Sequence, residues 1–222
     1  SYVIFGNKSG LQTPIYPKSL VGTNGFKLAG VQREDQSGYS VGAAGDMNGD
    51  GIDDVIIGAM PREAVYVVFG RNKTQVWDPL FELSKLELDG KDGFKITGRE
   101  GHQSGCSVGA GDINGDGYKD IIIGSPNAYA SSGAAYVIFS QKSDPKWNSS
   151  FSLSALNGSN GFELRGGSQD REIGIVVGTV GDINGATIDD FVISMRSTGD
   201  ESIGKACGAV YVVFGNQTSW NS

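Results

Sequence analysis

The sequence GDMNGDGIDD, residues 45–54, lies between two short apolar runs. It recurs as GDINGDGYKD at residues 111–120 and, in altered form, as GDINGATIDD at residues 181–190. Counted from the first Asp, the first two loops carry oxygen-bearing side chains at positions 1, 3, 5 and 9, and such a set can surround one hard cation. Glycine at position 6 allows the sharp bend that this loop needs. The copies therefore predict a repeated β-hairpin with an oxygen-rich turn.

Two further phrases recur in step with the loops. The phrase YVIFG begins at Tyr2 and returns, with small changes, at Tyr66, Tyr136 and Tyr211. A phrase that begins Gly-Phe and alternates apolar with polar residues occupies residues 25–30, 93–98 and 161–166. Together with the runs on either side of each loop, they give four strands in every repeat of about 65–75 residues, as in a propeller blade. The sequence predicts an all-β protein, a portion of a β-propeller made of four-stranded antiparallel blades, with about three blades in this chain.

The strand order divides the chain into four segments. Residues 1–30 supply outer strands of a preceding blade, residues 31–98 and 99–166 form two blades, and residues 167–222 form a blade that lacks its outer strand. Propellers have about 4 to 8 blades, so three do not close a ring. We expect further blades from the same chain or from other chains, and the start inside a strand favours a segment of a longer propeller.

The composition excludes several classes of protein. The 222 residues include 35 glycines and carry a formal net charge of −7. Abundant glycine without a collagen period is typical of many tight turns, and an acidic chain does not suit a nucleic-acid partner. No apolar stretch is long enough to span a bilayer. We expect Cys106 and Cys207 to be free thiols, buried as small apolar residues.

The loop positions assign metal ligands. An EF-hand would need Glu at position 12, where this chain has Ile57 and Ile123. The donors are all oxygen, which favours calcium over zinc or copper. We predict two Ca²⁺ sites, each closed by the position-7 carbonyl and the position-9 carboxylate. The ligands are Asp46, Asn48, Asp50, Ile52 and Asp54 in the first loop, and Asp112, Asn114, Asp116, Tyr118 and Asp120 in the second.

The third loop has lost part of this set. It keeps Asp182, Asn184 and Asp190, but Ala186 and Thr187 replace the Asp-Gly pair of the other two loops. Because calcium affinity follows the number of charged ligands, we expect a weak or lost metal loop. We expect Asp and Asn side chains to hold this hairpin by accepting hydrogen bonds from backbone amides, as in an Asx-turn.

These residues resemble the FG-GAP repeat, which builds the N-terminal β-propeller of integrin α subunits. The resemblance rests on residues 37–42, 46–54 and 58–61 in one repeat and on residues 104–109, 112–120 and 124–126 in the next. The third repeat matches less well, since Ser194-Met195-Arg196 stands where Gly-Ala-Pro is expected. The resemblance implies an extracellular or cell-surface protein in which calcium has a structural role. It also implies a protein or glycan ligand on one face of the propeller.

The function of the module is left open between three hypotheses. The first is a binding or adhesion module, the second is a building block of an extracellular assembly completed by packing between chains, and the third is an accessory domain of a secreted enzyme. We expect no catalytic site, because the single histidine, His102, lies in a predicted exposed loop and no nucleophile has a motif around it.

Five Asn-x-Ser/Thr triplets are candidates for glycosylation if the source is eukaryotic. All are expected at the rim of the propeller: Asn7, Asn72, Asn148, Asn157 and Asn216.

Overall fold

The computed structural model describes residues 1–11, 13–86, 90–140, 147–168, 170–198 and 208–217. Its secondary structure is almost entirely β, and no helix in these residues is long and apolar enough to cross a membrane. The strands are β1 (Tyr2–Ile4), β2 (Gly25–Ala29), β3 (Ser40–Gly45), β4 (Asp54–Ala59), β5 (Ala64–Val68), β6 (Leu80–Glu82), β7 (Gly93–Thr97), β8 (Ser107–Gly111), β9 (Asp120–Ser125), β10 (Ala134–Ile138), β11 (Ser150–Ser152), β12 (Gly161–Arg165), β13 (Asp170–Arg171), β14 (Val177–Gly181), β15 (Asp190–Met195), β16 (Ser197–Thr198) and β17 (Ala209–Val213). Short 3-10 turns cover Pro17–Ser19, Met60–Arg62, Leu83–Lys85 and Leu153–Ala155, and one helical turn covers Ala128–Ser131.

The strands form antiparallel four-stranded units, as the sequence predicts. One unit has the order β3-β4-β5-β7 and the next has the order β8-β9-β10-β12. Strands β5 and β10 are buried at every position because both faces are covered, which explains why their sequences do not alternate. The all-β fold class is therefore confirmed.

The repeated glycine at the end of the second strand lies where the neighbouring unit approaches closely. A side chain on Gly58 would collide with the carbonyl oxygen of Gly105 in the next unit, and one on Gly124 would collide with that of Gly174. In the third repeat Ser194 occupies this place, and its hydroxyl accepts a hydrogen bond from the Val176 amide at 3.1 Å. Glycine is thus required where another unit packs closely on this strand.

Two sheets contain a strand that the sequence analysis did not assign. Strand β6 pairs in parallel with β2, and β11 pairs in parallel with β7, so each crosses to the outer edge of the preceding unit. A tryptophan precedes each crossing strand and stacks on the Phe of the edge that it covers. Trp77 lies 4.0 Å from Phe26 and Trp147 lies 4.2 Å from Phe94, between ring centroids. These segments protect sheet edges from unwanted pairing.

The two ends of the chain form smaller sheets. Strands β1 and β2 pair antiparallel, as expected for outer strands of a blade, and β14, β15 and β17 form a three-stranded sheet. Strand β17 is largely exposed, with Val210 at 63% and Val212 at 46%, whereas the equivalent β5 and β10 are buried. In the first two units this face of the third strand is covered by the following unit, whereas among the described residues no further unit covers β17 and no outer strand pairs with it.

The side chain at position 2 of the first two acidic loops is buried between neighbouring units. Met47 and Ile113 are 3% and 0% exposed, whereas Ile183 at the same position of the third loop is 57% exposed. The indole N–H of Trp147, in the segment that crosses from the second unit to the edge of the first, donates to the Met47 carbonyl at 3.0 Å. The loops therefore contribute to the contact between units as well as to their own hairpins.

Candidate metal centre

The first acidic loop joins β3 to β4 and is folded around Asp46. One carboxylate oxygen of Asp46 accepts from the amides of Gly49 and Asp50, and the other accepts from Gly51 at 2.7 Å. Gly51 has a φ of 82°, which explains the glycine at position 6. The carboxylate at position 1 therefore organises the turn through the backbone.

The second loop, between β8 and β9, repeats this geometry. Asp112 accepts from the amides of Asp116 at 3.0 Å and Gly117 at 2.9 Å, and Gly117 has a φ of 90°. The side chain of Asn114 accepts from Asp116 N and donates to its carboxylate. Position 5 in turn accepts from the position-7 amide, which belongs to Ile52 in the first loop and to Tyr118 in the second.

The carboxylate at position 9 accepts hydrogen bonds from backbone amides at the same two positions in all three repeats. Asp54 accepts from Met47 N at 2.8 Å and Gly70 N at 2.7 Å, so it ties the loop to the end of the third strand of the blade. The same bonds link Asp120 to Ile113 and Ser140, and Asp190 to Ile183 and Gly215. All three Asp residues are buried, at 1% exposure or less. Position 9 therefore stabilises the blade whatever else it binds.

Burial in acidic surroundings makes two of these carboxylates hard to ionise. Burial, together with the charges of Asp50 and Asp46, raises the pKa of Asp54 to about 6, against the opposing effect of its backbone hydrogen bonds. Burial and the charge of Asp116 raise the pKa of Asp120 to about 7. A cation close to either group would favour the charged form.

The donor chemistry of both loops fits calcium, because every predicted side-chain ligand offers an oxygen. As placed, however, the carboxylates bond to the loop's own amides. In the described part of the chain, no three Asp, Glu, His or Cys side chains are grouped closely enough to hold a metal ion. The structure brings the predicted ligands into one turn without assembling them into a closed coordination shell.

The third loop keeps the same backbone course with fewer acidic groups. Asp182 accepts from the amides of Gly185, Ala186 and Thr187, and the bond from Thr187 contributes most to lowering the Asp182 pKa. These are the Asx-turn bonds expected from the sequence, although the first two loops have them as well. Thr187 has a φ of 64°, a left-handed conformation that is unfavourable for a β-branched residue.

The residue at position 8 of one loop contacts a neighbouring loop. The sequence analysis did not identify this role for Asp189. Lys119 of the second loop packs on Gly45 of the first, and its ammonium lies 2.6 Å from the carboxylate of Asp189 in the third. Asp189 also accepts from the Asp112 amide at 2.9 Å. Partial burial opposes ionisation of Asp189, but the hydrogen bonds from Lys119 and the Asp112 amide, together with the Lys119 charge, outweigh it, and the pKa of Asp189 is lowered. The sequence did contain a sign of this contact, because position 8 is a lysine in the second loop and an aspartate in the third.

The opposite end of the blades contains the histidine. His102 is half-buried rather than exposed, so the sequence expectation was wrong: its Nδ1 lies 3.2 Å from the hydroxyl of Tyr136, and its ring packs edge-on against Tyr129. Close by, Arg99 donates to the Tyr129 hydroxyl at 2.8 Å and Arg165 lies over the Tyr129 ring. The group is a polar network that joins the second blade to its connecting loops.

The structure describes one of the two cysteines and all five sequon asparagines. Cys106 is a half-buried free thiol whose Sγ lies 3.8 Å from the carbonyl oxygen of Ile175, and Cys207 lies outside the described residues. The five sequon asparagines are all exposed: Asn7, Asn72, Asn148, Asn157 and Asn216.

Comparison with known protein families identifies two of the repeats described above. The family model for the FG-GAP repeat matches residues 37–68 and 105–138. Integrin alpha-8 from Gallus gallus is 31% identical over 153 residues, which cover 64% of this chain and 14% of that protein. Integrin alpha pat-2 from Caenorhabditis elegans is 28% identical over 188 residues, or 82% of this chain and 14% of that protein.

A further relative carries the name of an enzyme rather than of an integrin. The phosphatidylinositol-glycan-specific phospholipase D of Dictyostelium discoideum is 28% identical over 152 residues, which cover 61% of this chain and 16% of that protein. The chain therefore spans only about a sixth or less of the length of these relatives.

Proposed function

The chain is an FG-GAP repeat protein similar to integrin α subunits, and on that premise we propose that it is an extracellular or cell-surface β-propeller module that binds calcium and engages a protein or glycan ligand. In this proposal residues 31–98 and 99–166 are blades, residues 1–30 belong to a preceding blade, and residues 167–222 lack an outer strand. The single observation that carries the proposal is the acidic loop, which recurs at the same place in successive blades with the same internal hydrogen bonds.

Calcium would be held by two loops. Positions 1, 3, 5 and 9 would supply side-chain oxygens in each loop, with the position-7 carbonyl as a fifth donor. A bound cation would favour the ionised forms of Asp54 and Asp120, whose pKa values are raised by burial and, to a smaller extent, by neighbouring carboxylates. In the third loop, Asp182, Asn184 and Asp190 are proposed to remain without calcium at ordinary concentrations, because a carboxylate is missing.

The ligand is proposed to bind the end of the blades opposite the acidic loops. The acidic loops have the same length in all three repeats, whereas the connections at the other end differ. Met60–Arg62 forms a single 3-10 turn, but the second repeat has a longer connection in which Tyr129 and Ala130 are left-handed. Surface loops that vary on a constant scaffold suit the recognition of a particular partner.

An adhesion assay tests this function. Surfaces coated with the chain are expected to retain animal cells in millimolar calcium and to release them in EDTA. A variant with Asp46→Asn and Asp112→Asn should adhere less, and the matched variant Asp182→Asn should adhere normally. Equal adhesion of all three proteins with and without calcium would contradict a calcium-dependent binding module.

A second candidate function, assembly between chains, is favoured by the apolar end of the third sheet. Ile183, Val210 and Phe214 are exposed at 57%, 63% and 55%, although their equivalents within residues 31–98 and 99–166 are buried. A second copy could cover this surface as blades cover one another. Sedimentation velocity would detect concentration-dependent association that Ile183→Lys weakens, and a monomer at all concentrations would exclude this candidate.

The similarity to a Dictyostelium phospholipase D supports a third candidate, an accessory domain beside a catalytic one. We propose no catalytic residue in the chain itself.

A further inference from the structure

Three of the five sequons share one local structure. Asn7, Asn72 and Asn157 each accept a hydrogen bond at Oδ1 from the backbone amide two residues later, at 3.0, 3.2 and 3.0 Å. The hydroxyl of that same residue donates to the same oxygen, at 2.8 Å from Ser9, 3.4 Å from Thr74 and 2.8 Å from Ser159. The third residue of each sequon therefore contacts the asparagine that would be modified.

This geometry favours modification of the asparagine nitrogen. The side-chain amide is planar, with oxygen and nitrogen on opposite sides of Cγ, so engaging Oδ1 inside the turn directs Nδ2 away from the backbone. All three asparagines are exposed. In Asn7 and Asn72 the main chain also closes a β-turn, with Gly10 N donating to Asn7 O and Gln75 N donating to Asn72 O. An enzyme can therefore reach Nδ2 without unfolding a strand.

The sequon at Asn148 differs and offers an internal control. Its third residue, Ser150, is the first residue of β11 and pairs with Lys95 of β7. The carbonyl of Ser149 accepts from Lys95 N at 3.0 Å. This triplet therefore enters an extended strand in the folded protein and does not form the same exposed turn.

The placement of the sequons is also uneven. All five lie in connections that follow the third strand of a blade or precede its fourth, which is the end that carries the acidic loops. None occurs in residues 98–106 or 126–133, which form connections at the opposite end. Attached glycans would therefore surround one end of the blades and leave the other accessible.

We propose that Asn7, Asn72 and Asn157 are sites of N-linked glycosylation. The donor is an oligosaccharide joined to a lipid through a diphosphate. A bond forms between Nδ2 and the anomeric carbon while the bond from that carbon to the diphosphate oxygen breaks. The lipid diphosphate leaves with the electron pair, and Nδ2 loses one proton to a base of the transferase. The proposal rests on the extracellular location in the proposed function.

The test uses the full chain, secreted from animal cells behind an added secretion signal. Peptide N-glycosidase in ¹⁸O-labelled water converts each glycosylated Asn to labelled Asp, and mass spectrometry of the peptides gives the occupancy of each site. We expect Asn7, Asn72 and Asn157 to be occupied, and to be occupied more fully than Asn148. Ser9→Ala, Thr74→Ala and Ser159→Ala should each abolish the label at their own site alone.

Two outcomes would overturn the proposal: a secreted chain without label at these three asparagines, or a label at Asn148 that equals or exceeds theirs. The melting temperature of the same secreted material, measured with calcium and with EDTA, keeps the two proposals apart. An unglycosylated chain that calcium stabilises contradicts only the glycosylation proposal. A glycosylated chain that does not respond to calcium contradicts only the calcium-binding part of the proposed function.

Discussion

Substitution of the position-9 carboxylate in the third loop isolates its structural role from metal binding. Asp190 is 0% exposed and accepts from the amides of Ile183 and Gly215, both at 2.9 Å. Asp190→Ala removes both acceptors at once. A buried amide that loses its partner costs about 1–3 kcal/mol, so two such losses give about 2–6 kcal/mol. Because both hydrogen bonds are only partly buried, we expect the lower half of that range, about 2–4 kcal/mol.

Urea unfolding, followed by circular dichroism, measures this loss. The free energy of unfolding should fall equally in calcium and in EDTA, since the third loop is proposed to lack the metal. Asp182→Ala is the matched control, because Asp182 accepts three amides in the same loop but is exposed. Its effect should be smaller than that of Asp190→Ala. A loss below about 1 kcal/mol would refute the reasoning from the two amide hydrogen bonds that Asp190 accepts. A loss seen only with calcium present would indicate that Asp190 acts as a metal ligand.

Three further perturbations have definite expected results. Thr187→Gly replaces a β-branched residue in a left-handed conformation and should stabilise the chain by about 1 kcal/mol in urea unfolding. No gain in stability would show that Thr187 is not strained. Ile113→Ala should lower the free energy of unfolding by about 2–5 kcal/mol, because this side chain is buried between units. Ile183→Ala should lower it by less than about 0.5 kcal/mol, because Ile183 is exposed. Equal losses would contradict the packing described. Burial alone would raise the pKa of Asp35, but the bonds from Ser37, Gln32 and Val31 lower it below the ordinary 3.8. The stability that Asp35 contributes relative to Asp35→Asn should therefore be full above about pH 4 and should disappear as the pH falls through the lowered pKa. A difference in unfolding free energy between the two proteins that stays constant from pH 7 to pH 2 would contradict this.

Much of the fold followed from the period of the sequence. The Gly-Phe and Tyr-Val phrases identified β2, β5, β7, β10 and β12, because continuous apolar runs and alternating runs report directly on which sheet faces are covered. The crossing strands β6 and β11 could not be found in this way. Each is three residues long and pairs with the preceding unit, so neither its length nor its local pattern indicates its partner.

The candidate site was also only partly predictable. Asp46 and Gly51 stand where the turn geometry requires them, since the amide bonds and the positive φ are local. The bond between Lys119 and Asp189 joins residues far apart in sequence, and a repeat alignment does not say which loops face each other. The second role of Asp54, as acceptor from Gly70 at the end of the third strand, was hidden for the same reason.

Isothermal titration calorimetry of the chelator-stripped chain with calcium tests the central claim most directly. The account predicts two ions per chain, with dissociation constants of roughly 10⁻⁴ to 10⁻³ M, the range typical of extracellular calcium modules. It predicts one ion after Asp46→Asn or Asp112→Asn, and an unchanged count of two after Asp182→Asn. A chain that releases no calcium-dependent heat and whose melting temperature calcium does not raise would contradict the account.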